Sequence, residues 1–195
     1  MDFLVFLSAA LGLGLHSGLF LGRFRGLGMF RYYTNLSNLV IGLYSLLAFW
    51  WDGLHHPVLW FSMTMGIFLT FLIYHFVLLP GFQRRNPGGW KAVDNLLVHY
   101  VTPWMAALNW LLFGEKDILN GYNALAWLLL PAAYLLFSFA RAPFAPIEGG
   151  EKRYPYHFMD PDRIGWRKVV RNLVALTLLC GLGTEVMILL ISRLP

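Results

Sequence analysis

Pro57-Val-Leu-Trp-Phe-Ser-Met-Thr-Met-Gly-Ile-Phe-Leu-Thr-Phe-Leu-Ile-Tyr-His-Phe-Val-Leu-Leu79 runs for 23 residues without Asp, Glu, Lys or Arg. About 20 apolar residues in a helix cross the hydrocarbon core of a bilayer. The run is continuously apolar and does not alternate, which argues against a strand of a membrane β-barrel. Five further stretches have the same character, at about 3–21, 33–51, 92–113, 120–140 and 169–191. Together they predict an all-α polytopic membrane protein of six transmembrane helices, one domain over 1–195. Composition agrees. The chain of 195 residues is 58% hydrophobic and 13% charged, against roughly 25% charged in soluble domains. Disorder and a disulfide scaffold are poor fits, and Cys180 is the single cysteine. Met1-Asp2 supplies no basic leader to the first run, so a cleaved signal peptide is not expected.

Thirteen of the fifteen Lys and Arg fall in alternate connections. Arg23, Arg25 and Arg31 follow the first span. Arg84, Arg85 and Lys91 follow the third. Arg141, Lys152, Arg153, Arg163, Arg167, Lys168 and Arg171 surround the long connection at about 141–168. Lys116 and Arg193 are left for the other side. The positive-inside rule places the thirteen in the cytoplasm and both termini outside. The basic residues therefore read as topology and headgroup contacts, and no nucleic-acid partner is expected. Tyr32, Tyr33, Trp90 and Trp166 are expected at the inner interface, and Trp50, Trp51 and Trp60 at the outer one.

Polar residues inside an apolar span mark function more sharply than anything else in such a chain. In this topology His16, Thr34, Asn35, Ser37, Asn38, His75, Asp94, Asn95 and His99 all fall toward the cytoplasmic side, with His157 and Asp160 in the 141–168 loop. Thr34, Ser37 and Asn38 share a helix face. Thr34 has two readings: a helix cap with interhelical hydrogen bonds around it, or a nucleophile. His99 lies four residues before Pro103, which removes a helical N–H and predicts a kink beside it. His99 is either an interhelical hydrogen-bonding residue or a general base for Thr34. The Tyr154-Pro-Tyr-His-Phe-Met-Asp160 segment is either an aromatic anchor or a lid over a cytoplasmic cavity. Asn35-Leu-Ser37 matches a glycosylation sequon, but its predicted side argues against use. Glu185, deep in the last span, is read as hydrogen-bonded to a neighbour, and His55 and His56 as interfacial.

These residues resemble the androgen-induced-gene family of six-helix membrane proteins, its bacterial members above all. The segments that carry the resemblance are Tyr32-Tyr-Thr-Asn-Leu-Ser-Asn38, His99-Tyr-Val-Thr-Pro103 with Asn109-Trp110, and Tyr154-Pro-Tyr-His-Phe-Met-Asp-Pro161. The resemblance implies an integral membrane hydrolase of lipid esters such as fatty acid esters of hydroxy fatty acids. It also implies a bacterial inner-membrane location, a threonine nucleophile at Thr34 and a histidine at His99, with no cofactor. Expected substrate-binding or oxyanion residues are Asn35, Ser37, Asn38, His75, Asn95, Tyr154, His157 and Asp160. The expected partners are membrane lipids or a fatty acyl ester.

Two other readings stay open on the residues alone. His16, His75, His99 and His157, with Asp94 or Asp160, are metal-ligand types, which would make a metal-dependent lipid hydrolase. The same polar residues would equally serve a lipid-binding or transport protein without catalysis.

Overall fold

The computed structural model describes residues 1–22, 26–85, 92–117, 119–145 and 153–191. Among them the chain is all-α, with seven helices. α1 is Asp2–His16 and α2 is Tyr33–Trp50. α3 joins Pro57–Leu72, a π-helical turn Ile73–Leu78 and Leu79–Arg85. α4 joins Val93–Leu96, a second π-helical turn Leu97–Val101 and Thr102–Phe113. α5 runs from Gly121–Ala124 through Leu125–Leu128 and Leu129–Arg141 to a last tight turn, Ala142–Phe144. The short α6 is Pro161–Ile164 and α7 is Trp166–Ile191. The chain divides into two compact units, Met1–Ile118 and Leu119–Pro195.

Four helices are long and apolar enough to cross a membrane: Pro57–Arg84, Val93–Phe113, Gly121–Phe144 and Trp166–Leu190. The two other expected spans differ for physical reasons. α1 ends at His16, short of the expected residue 21. The Ser17 hydroxyl turns back onto the Gly14 carbonyl, and Gly18 takes a φ of +73°, which ends the helix. Its 15 residues measure about 22 Å. α2 has 18 residues, but its first turns carry Thr34, Asn35, Ser37 and Asn38, all buried.

In the first unit α1 packs on α2 and α4, and α3 packs on α2 and α4. Gly12 makes the α1–α4 approach possible. A Cβ there would stand 2.9 Å from Val98 Cγ1 and 3.1 Å from Leu97 Cβ. α2 also meets α4 at the Leu97–Val101 turn, which brings the two polar segments together. Tyr33 and Trp60 are buried in this core. The Tyr33 hydroxyl donates to the Gly66 carbonyl at 2.8 Å, and Trp60 lies against His55 with ring centroids 4.6 Å apart. Trp50 and Trp51 are exposed. Arg23, Arg25, Trp90, Lys91, Lys152 and Arg193 lie outside the described residues, as does 146–152 of the long loop.

In the second unit the Asn120 side chain caps α5 by accepting from Tyr122 and Asn123 N–H, and Asn123 reciprocates onto Asn120 N–H. Trp127 Nε1 donates to Thr184 Oγ1 at 3.0 Å, and Thr184 donates to the Cys180 carbonyl. This chain of bonds ties α5 to α7. The Glu185 carboxylate lies so close to Gly121 that a Cβ there would be 3.0 Å from both its oxygens.

Candidate functional site

Both π-helical turns have the same local cause. In α4 the Thr102 N–H bonds the Leu97 carbonyl, five residues back, and Pro103 follows. In α3 the Leu79 N–H bonds the Tyr74 carbonyl, again five back, and Pro80 follows. A proline inside a helix lacks the N–H and its ring presses on the carbonyl four residues earlier. Widening the preceding turn relieves that pressure and inserts one residue per turn. The kink expected at Pro103 is thus a π-turn, and Pro80 makes a second one that the sequence reading missed.

The two turns face each other across α3 and α4. Tyr74 stacks on His99 with centroids 3.8 Å apart and planes 26° from parallel. His75 Nδ1 lies 3.1 Å from the Tyr100 hydroxyl. The Asn95 amide donates to the Tyr74 hydroxyl at 2.7 Å, while the Asn95 carbonyl accepts from His99 Nδ1 at 3.1 Å. A carbonyl can only accept, so Nδ1 carries the ring proton there. In the neutral ring Nε2 is then an acceptor, and it lies 3.4 Å from Thr34 Oγ1. Thr34 is 9% exposed and His99 7%. Thr34 does not cap α2: the residue before the helix is Tyr32, and the Thr34 side chain turns to His99 instead.

Around this pair the polar residues are clamps. The Asn38 amide donates to the Thr34 carbonyl at 2.8 Å and to the Val98 carbonyl at 3.0 Å, bridging α2 and α4. The Ser37 hydroxyl donates to the Thr34 carbonyl at 3.1 Å and lies 2.7 Å from Thr70 Oγ1. The expected oxyanion donors Ser37 and Asn38 therefore already have their hydrogens engaged. Asn35 donates to the Met29 carbonyl at 2.7 Å and ties down the turn before α2. Among the described residues the carbonyl oxygens of the Asn35 and Asn38 side chains are buried without a donor. Asp94 pairs with His16 at 3.1 Å. Tyr74, Tyr100 and Thr70 were not singled out from sequence. The proximity of Tyr74-His75 to Pro80 was the available signal for the first of them.

Tyr154, His157 and Asp160 belong to the second unit. Residues 153–159 form a strap on α5 and α7. The Arg153 carbonyl accepts from Arg141 Nη2 at 2.6 Å, and the Phe158 carbonyl accepts from Asn172 at 3.1 Å. Tyr154 packs on Phe139, with centroids 5.7 Å apart. Its burial, with Asp162 and Asp160 close by, holds the phenol above its ordinary pKa. Asp160 caps α6 through the N–H groups of Asp162 and Arg163. Among the described residues no three His, Cys, Asp or Glu side chains gather as a metal-holding group.

No protein-family model, curated protein or solved structure matches the chain. The site is therefore read from its own geometry. It places a buried threonine hydroxyl beside a histidine nitrogen whose opposite nitrogen is anchored to backbone. That arrangement can accept a proton from the hydroxyl as it attacks an electrophile.

Proposed function

We propose that this protein is an integral membrane lipid-ester hydrolase acting through an acyl-threonine intermediate. One observation carries the reading: Thr34 Oγ1 at 3.4 Å from His99 Nε2, with His99 Nδ1 held by the Asn95 carbonyl. That separation is slightly longer than the 2.6–3.2 Å of a working general base, as unliganded sites often are. Thr34 Oγ attacks the ester carbonyl and its proton passes to His99 Nε2. Collapse of the tetrahedral intermediate expels the alkoxide, which takes that proton. Water then attacks the acyl-Thr34 ester as His99 Nε2 takes its proton; collapse releases the fatty acid, and that proton returns to Thr34 Oγ. Tyr74 accepts from Asn95, so its own hydroxyl proton remains available beside the His99 ring. It is the donor this reading leaves for the oxyanion.

The substrate class follows from the setting. The pair lies in α2 and α4, between long apolar helices, where an acyl chain is at home and a soluble ester gains little. The resemblance to the androgen-induced-gene family points to the same pair and to long-chain acyl esters. The topology that goes with it has six transmembrane helices, the basic connections in the cytoplasm and both termini outside. The site then opens toward the cytoplasmic leaflet of a bacterial inner membrane.

The test is hydrolysis of an oleoyl ester of hydroxystearic acid by purified protein, paired with labelling by a fluorophosphonate probe. Thr34→Ala and His99→Ala abolish both, and Thr34→Ser keeps measurable turnover because it keeps the hydroxyl. Parent-like turnover in a folded Thr34→Ala variant would refute the nucleophile. A parent protein that neither hydrolyses nor labels would leave the polar cluster as that of a lipid-binding protein.

A further inference from the structure

Among the described residues two buried donors in the second unit lack acceptors, and they lie one turn apart on the same helix. Ser138 is 1% exposed, and its hydroxyl has no hydrogen-bonding partner among the described residues. Arg141 Nε is buried and unpartnered as well. The Arg141 guanidinium has five N–H donors, and the acceptor found for it is the Arg153 carbonyl, a single neutral oxygen. No carboxylate among the described residues forms an ion pair with it; Asp162 pairs with Arg153 at 3.7 Å. A partly buried guanidinium without a counter-charge is costly, as is a buried hydroxyl without a partner. Ser138 and Arg141 are spaced i, i+3 and share one face of α5. Both lack an acceptor, and at Arg141 a negatively charged one would also balance the guanidinium.

We infer that the Ser138–Arg141 face of α5 is a binding site for the phosphate of a membrane phospholipid. Several features favour that oxyanion. A guanidinium edge takes two phosphate oxygens side by side, and a serine hydroxyl takes a third contact. The surrounding sequence adds Arg163, Arg167 and Lys168 against Asp160, with Arg153 and Asp162 paired to each other, so the stretch stays net positive. The lipid origin follows from the neighbours of Arg141 on α5. Phe137, one turn earlier, is 46% exposed and Phe144, one turn later, is 87% exposed, so apolar surface for acyl chains flanks the charge. The strap lies over the same face, with its Arg153 carbonyl on Arg141 and Tyr156 near Tyr134, ring centroids 6.4 Å apart. Phosphate entry replaces the Arg153 carbonyl on the guanidinium and lifts the strap at that point. The site is independent of the Thr34–His99 reading.

The experiment uses full-length protein in dodecyl maltoside, stripped of lipid and titrated with dioleoyl phosphatidylglycerol. Binding is read by native mass spectrometry. Dioleoylglycerol, oleate and inorganic phosphate are run in parallel, and circular dichroism verifies the fold of each variant. The expected result is retention of phosphatidylglycerol and not of dioleoylglycerol. Arg141→Gln weakens retention about tenfold or more, the scale of a lost charge-assisted contact. Ser138→Ala deletes one buried oxygen and weakens it about threefold to tenfold. Arg141→Lys keeps the charge without the planar fork and falls between parent and Arg141→Gln. If Arg141→Gln does not fold, Ser138→Ala and Arg141→Lys decide. Folded variants that retain phosphatidylglycerol like the parent overturn the site. Oleate held as tightly, with the same dependence on Arg141, makes it a carboxylate site and overturns the phosphate. Inorganic phosphate that displaces the lipid with equal affinity overturns the lipid source.

Discussion

Asn38 shows how much one side chain holds at the candidate site. Its amide bonds carbonyls on two helices, one of them the carbonyl of Thr34 itself. Asn38→Leu preserves approximate volume and removes both bonds; the Thr34 carbonyl keeps the Ser37 hydroxyl, while the Val98 carbonyl loses its side-chain donor, which is worth about 1–3 kcal/mol. We expect a loss of roughly 1–3 kcal/mol in unfolding free energy, measured by titrating the purified protein from dodecyl maltoside into sodium dodecyl sulfate. Asn38→Asp removes the same donors and adds a charge facing two carbonyls, so it destabilises at least as much. An Asn38→Leu protein as stable as the parent would show that the bridge contributes nothing. Thr34 and His99 were legible in the sequence because a hydroxyl and an imidazole stand out in apolar runs. The roles of Ser37, Asn38 and Asp94 were not. Each has several partners within reach of its helix face, and only the packing of α1, α2, α3 and α4 chooses among them. Asp94 takes His16 because α1 lies beside the start of α4.

At the scale of the elements, the paired π-turns set the direction of the catalytic candidates. A π-turn inserts a residue, so reverting one to regular α-helix rotates everything before it by about 100° relative to everything after. Pro103→Ala restores the missing N–H and removes the steric reason for the turn. We expect the variant to fold at least as well as the parent, while His99 leaves the reach of Thr34. Fluorophosphonate labelling and ester turnover then fall about a hundredfold, the scale of losing a general base. Pro80→Ala acts in the same direction by moving Tyr74 off the His99 ring. Unchanged turnover in Pro103→Ala, with the helical content of the parent, would show that the turn does not position His99. The proline signal was half read from sequence: Pro103 stands in mid-span and draws attention, whereas Pro80 follows an apolar run and reads as its end. α3 continues through it to Arg85. The first helix was overestimated for the opposite reason. Hydropathy carries on past His16 through Leu19, Phe20 and Leu21, but Gly18 turns the backbone left-handed, and composition does not record that.

For the whole molecule, the apolar surface and the charge distribution make separate statements. Leu178, Leu182, Leu189 and Leu190 on α7, with Leu129 and Leu136 on α5, are exposed. So much exposed apolar surface on long helices suits a hydrocarbon solvent, where it costs nothing to leave it uncovered. It marks which segments suit a bilayer but not which way they would run, since lipid tails are alike from both sides. Direction rests on the thirteen-to-two partition of Lys and Arg. That partition assigns the start of α5 to the outside and the 141–168 segment to the cytoplasm, and one pair of single-cysteine proteins tests both ends. Tyr122 is 94% exposed at the first turn of α5. In a Cys180→Ser background, Tyr122→Cys is expected to react with a membrane-impermeant maleimide in intact spheroplasts. Gly150→Cys is expected to react only after lysis, because the seven basic residues around it resist translocation. The reverse pattern would invert the molecule and move the Thr34–His99 pair to the outer leaflet. Reaction at both positions in sealed spheroplasts would mean that α5 does not cross the membrane at all, and the six-span topology would fall with it.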